Sequence, residues 1–162
     1  MTARLVSFAV AFVAALAMSP APAAPAADAG LSHADHAATP AKLTLDHGRK
    51  WGTDAPLRAA MNEIRTLVAP KVDAIHRGKL TADEYQALGV AIEKQVADIV
   101  AQCKLPPEAD AMLHLIVADL VAGTDMMQGK AKGGPAGGAH KVVVAANNYG
   151  RYFDHPGWKP IG

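Results

Sequence analysis

Between Leu57 and Phe153 the apolar residues recur at spacings of three and four, in four stretches separated by breaks that carry proline or glycine. This is the 3.6-residue repeat of an amphipathic helix, whose apolar stripe must be buried against a neighbouring element. The first stripe is Leu57, Met61, Ile64, Val68, Val72 and Ile75; the second is Tyr85, Leu88, Ile92, Val96, Ile99 and Cys103. The third stretch, 107–127, has Leu113, Ile116, Val117, Leu120 and Met127 on its richest face. Its polar positions are so few that burial around much of its circumference is expected. The fourth carries Val142, Ala146, Tyr149 and Phe153.

The breaks supply the boundaries. Thr53 or Asp54 can cap the first helix, and Pro56 fits its first turn, where the missing N–H has no intrahelical partner. Pro70 lies inside the stripe and should kink it, and Gly78 should end it. Thr81 and Glu84 have the spacing of a capping box for the second helix. Pro106-Pro107 stops one helix and starts the next. Residues 129–138, rich in glycine, read as a flexible connector, and no Lys-Ser or Lys-Thr follows to complete a phosphate-binding loop. Four helices with short connections predict an all-α fold, an antiparallel up-down-up-down four-helix bundle over 43–162.

Ahead of the bundle, residues 1–23 combine Arg4, an apolar run from Leu5 to Met18 and an Ala-x-Ala-like site before Ala24. This is the pattern of a removed secretory signal, too short and weakly flanked for a stable membrane span. Residues 24–42 are mostly Ala, Pro, Asp, Gly and His, and read as a disordered linker. The expected location is the periplasm. Removing Arg4 from 16 Lys+Arg leaves 15 against 15 Asp+Glu. A chain so balanced is neither a nucleic-acid binder nor a polybasic membrane anchor. The single Cys103 excludes an intrachain disulfide, a covalent c-type haem and any multi-cysteine metal cage.

Bundle topology brings one set of helix ends together, so Met61, Cys103, Met112, His155 and the Trp51 segment should meet, with His114 about two turns in. His76, Met126, Met127 and His140 fall at the opposite end. Thiolate, thioether and imidazole suit Cu(I), or haem iron in another geometry. Met61 early in the first helix and His155 after the last have an architectural likeness to the axial ligands of cytochrome b562-type bundles, although His155 stands in a helix-breaking turn. His33 and His36, flanking Asp35 in the linker, offer a weak chelate for Cu(II), Ni(II) or Zn(II). Each residue also has a plainer role: Cys103, Met61 and Met112 as core, His114 paired with Asp110 one turn earlier, and His155 with Trp158 stapling the tail to the bundle. No Gly-x-Ser-x-Gly elbow, His-Glu-x-x-His pair or cysteine-nucleophile motif is present.

Three segments carry a further signal: Leu45-Asp46-x-Gly48-x-Lys50-Trp51-x-Thr53-Asp54-x-Pro56-Leu57-Arg58, Cys103-Lys104-Leu105-x-Pro107-x-Ala109-Asp110-Ala111-x-Leu113-His114, and Tyr152-Phe153-Asp154-His155-Pro156-Gly157-Trp158. Together they resemble a family of bacterial exported proteins labelled DnrO-like, over nearly the whole mature domain. The resemblance implies export and a helical bundle, marks Cys103, His114 and His155 as family features, and assigns no activity. The sequence thus predicts a non-catalytic periplasmic bundle that binds a metal, copper ahead of haem, through Cys103, His114, His155, Met61 and Met112, assisted by His33 and His36. The alternative is a structural or interaction module whose tail, Asp154 to Trp158, docks a periplasmic protein partner.

Overall fold

A computed structural model describes residues 42–162. The expected signal segment, 1–23, and nearly all of the expected linker, including His33 and His36, lie outside the described residues. Within them the chain is all-α: α1 (Ala55–Val68), α2 (Val72–His76), α3 (Ala82–Gln102), α4 (Pro107–Met127) and α5 (Pro135–Tyr152). Helix α1 packs on α3, α3 on α4, and α4 most extensively on α5, while α2 and α3 also touch α5. No described helix is long and apolar enough to cross a membrane.

Each boundary has a local cause. Asp54 is the N-cap of α1, its Oδ1 accepting from the Leu57 N–H at 2.9 Å. Pro70 has no N–H to continue the ladder, and the helix passes through a 3-10 turn (Ala69–Lys71) before resuming as α2. Gly78 follows at φ +60°. The Lys79 N–H then reaches back to Ala74 O at 2.8 Å, closing the helix end as glycine in the left-handed region permits. Thr81 and Glu84 form the reciprocal capping box of α3, with Thr81 N donating to Glu84 Oε2 at 2.9 Å and Glu84 N to Thr81 Oγ1 at 3.2 Å.

The apolar stripes meet in one core. Leu57, Met61, Ile64, Ile92, Ile116, Leu120, Ala146, Tyr149 and Phe153 are fully enclosed. Burial of each large aliphatic side chain contributes about 1.5–3 kcal/mol. Helix α4 departs from expectation: it buries one face, through Ala109, Leu113, Ile116, Leu120, Gly123, Thr124 and Met127, and leaves Val121 39% exposed. Alanines account for much of the difference, since Ala111 and Ala118 lie at the surface, where so small an apolar group costs little.

The start of α5 departs as well. The expected connector through Gly138 is already helical from Pro135. Gly138 and Gly123 are where α5 and α4 approach backbone to backbone. A Cβ on Gly138 would overlap Gly123 O and lie 2.7 Å from Met126 Cβ, and one on Gly123 would lie 2.8 Å from Gly138 O. Their intrinsic cost in a helix is offset by contact that a side chain would forbid.

Candidate functional site

The site is assembled on Asp54. Besides capping α1, its Oδ2 accepts from the Lys104 N–H at 2.6 Å, and the Cys103 thiol donates to the same carboxylate. One side chain therefore ties the start of α1 to the end of α3. Burial alone would raise the Asp54 carboxyl, but the Lys104 and Leu57 N–H groups and the thiol outweigh it and hold it below the ordinary carboxylate range.

Cys103 is the C-cap of α3, half-buried, its N–H donating to Ile99 O at 2.9 Å. Burial, then the negative charge and hydrogen bond of Asp54, then the charge of Asp110, push its thiol up to about 12. An uncomplexed thiol in this setting stays protonated and is a poor nucleophile. It lines a cleft between α3 and α4 of about 70 Å³ with Ile99, Val100, Asp110, Leu113, His114 and Val117. Organic ligands of drug size occupy roughly 300–1,000 Å³. This cleft therefore suits an ion with its waters or one small side chain.

His114, one turn after Asp110 on α4, faces two acceptors of that residue with its Nδ1: the backbone O at 2.9 Å and Oδ2 at 3.3 Å. With acceptors on that side, the tautomer of the neutral ring that satisfies them has its proton on Nδ1 and leaves Nε2 as the donor atom for a ligand. Its side chain is 71% exposed.

The other candidate donors lie elsewhere. Met61 is fully buried within the core. Met112, partly buried, takes a hydrogen bond from Thr44 Oγ1 at 3.7 Å to its sulfur. His155 does not line the cleft; it is buried in the tail, its Nδ1 hydrogen-bonded to Tyr149 Oη at 2.9 Å and its ring packed against Trp158. Burial and the nearby Arg58 charge lower its pKa from the ordinary imidazole value, while burial raises the Tyr149 phenol. Haem axial ligation by Met61 and His155 does not fit this arrangement. Among the described residues, no group of three or more His, Cys, Asp or Glu is placed to hold a metal ion. Comparison with family models, curated proteins and solved structures finds no match to this chain.

The tail is fastened at several points. Trp51 N donates to Tyr152 O and Asp154 N to Trp51 O, both at 2.8 Å. Thr53 Oγ1 donates to Asp154 O at 2.7 Å, and Arg65 Nε to Lys159 O at 2.7 Å. Asn147 grips Ile161 twice, donating to its O at 2.7 Å and accepting from its N at 2.8 Å. Trp158 rests edge-on against Tyr149. The segment from Asp154 to Ile161 is thus fastened to its own domain, with Asp154, Pro156 and Gly157 left exposed. Sequence reasoning recognised Asp54 as a cap but not as a link to Cys103 and Lys104, and it missed Asn147 and Arg58. A polar residue whose partner lies far along the chain leaves no periodic signal.

Proposed function

We propose that this protein is an exported, non-catalytic four-helix bundle of up-down-up-down topology that holds one Cu(I) ion in the cleft of Cys103 and His114. The bundle topology is supported by the pairing of α1 with α3, α3 with α4 and α4 with α5, joined through residues 69–81, 103–106 and 128–134. Export is supported by the pattern of residues 1–23 and by the DnrO-like resemblance.

The observation that carries the metal assignment is that Cys103, His114 and Asp110 line one small cleft. Cu(I) is soft and accepts few ligands, so a thiolate and an imidazole suffice where Zn(II) would require a fuller shell. The carboxylates that raise the thiol also favour a cation in its place, because both effects are the same negative potential. The Nδ1 contact to Asp110 orients His114 as outer partners orient metal-bound histidines. Of the donors expected from the sequence, this assignment retains Cys103 and His114 and omits Met61, Met112 and His155.

The test is competition between the reduced protein and a chromophoric Cu(I) chelator under anaerobic conditions. One equivalent should bind, with a loss of at least tenfold in affinity on Cys103→Ala or His114→Ala. Binding unchanged in Cys103→Ala would refute the assignment.

A further inference from the structure

At the other end of the molecule, His76 closes α2 and His140 lies near the start of α5, two helices that pack on each other. Both side chains are exposed, and their ring centroids are 6.0 Å apart at an interplanar angle of 60°. They are 64 positions apart in sequence (140 less 76), so only the packing of α2 on α5 brings them together.

We infer that His76 and His140 form a two-histidine chelate for a borderline divalent cation of the Zn(II), Ni(II) or Cu(II) class, separate from the cleft of Cys103. The centroid spacing is compatible with two imidazoles on one ion. With a metal about 2.0–2.1 Å from each ligating nitrogen, and each centroid roughly 1.2 Å behind its nitrogen, the metal lies about 3.2 Å from each centroid. Two such rings are about 5.2 Å apart at a tetrahedral angle and about 6.4 Å apart when opposed. The observed 6.0 Å falls between these limits. Imidazole is the donor these metals share, and water completes the shell at an exposed site.

The nearest strong cation along α5, Lys141, is engaged by Asp119 at 2.7 Å. The elements joined also differ in anchorage: α2 is five residues long and follows the break at Pro70, whereas α5 is a core helix. A cation bridging the rings would clamp α2 to α5, because a ligand that binds only the folded arrangement stabilises it by mass action.

The experiment is a Zn(II) titration of the full chain carrying His33→Ala and His36→Ala, which removes the linker chelate. Calorimetry gives the affinity and imidazole NMR signals give the residues. The expected result is one ion that shifts the His76 and His140 signals at the same stoichiometry and raises the melting temperature. Affinity should fall at least tenfold in His76→Ala and, separately, in His140→Ala, and stay unchanged in Cys103→Ala. Independent titration of the two histidines, each indifferent to removal of the other, would overturn the inference, as would the absence of any shift at 1 mM Zn(II). Cu(I) binding, read through Cys103→Ala, can fail without affecting this result, and the reverse also holds.

Discussion

Replacing Gly138 with alanine adds one methyl group where α5 meets α4. In an unconstrained helix interior the change would gain about 1 kcal/mol, because glycine has more backbone freedom to lose. Here the new carbon would overlap Gly123 O and lie 2.7 Å from Met126 Cβ and 2.8 Å from the Met127 backbone nitrogen. Ordinary contact needs about 3.5 Å, so the helices must part by roughly 0.7–0.8 Å to relieve the Met126 and Met127 contacts and by about 1 Å to relieve the tighter one with Gly123 O, enough to forfeit a quarter to a half of the local dispersion attraction. Two of the three obstacles are backbone atoms that no rotamer change can move. Overpacking of this kind costs about 3 kcal/mol, and the net loss after the propensity gain is about 2 kcal/mol. Gly137→Ala is the control. Its Cβ would meet only the flexible end of Met126, Cε at 3.2 Å, so the propensity gain should survive. Urea denaturation should separate the two variants by about 3 kcal/mol, and melting by roughly 10 °C for a domain of this size. If Gly138→Ala proves as stable as Gly137→Ala, the close approach of α4 and α5 is not what selects glycine at 138.

Three further outcomes follow from the polar end of the molecule. His155 is held neutral by burial and the Arg58 charge, whereas the unfolded chain takes up a proton below about pH 6.5. Its contribution is therefore present above that pH and lost as pH falls towards the lower folded value, and urea midpoints at pH 7.5 and 5.5 should differ less in His155→Gln than in the parent. Asp54→Ala removes the α1 cap and the acceptor for Lys104 N. It should cost about 1–2 kcal/mol for the cap alone in urea denaturation, and a loss under 0.5 kcal/mol would contradict the linking role. Gly150 lies directly under Trp158, and a Cβ there would overlap the indole Nε1 and Cδ1. Gly150→Ala should expel Trp158, shifting its fluorescence to the red and exposing residues 154–162 to limited proteolysis; an unchanged spectrum would count against the slot.

The helices were legible because their signals are local. A three-and-four repeat, a proline that cannot donate, a glycine that can adopt positive φ and a Thr-x-x-Glu pair act within one or two turns, and each appears at Leu57 to Ile75, Pro70, Gly78 and Thr81 as read from the sequence. The exceptions had nonlocal causes. Gly137 and Gly138 read as connector because glycine weakens a helix on its own, and only the approach of Gly123 on another helix explains why glycine stands at 138 inside one. Candidate donors were sorted in the same way. Sequence named Cys103, His114, His155, Met61 and Met112 by chemical type, whereas packing put Cys103 and His114 on one cleft, enclosed Met61 in the core and turned His155 to Tyr149. Chemical type and helical phase are properties of the chain itself. Which side chains converge depends on how distant helices pack, so the Asp54 link to Lys104 and the meeting of His76 with His140 belong to the tertiary structure alone.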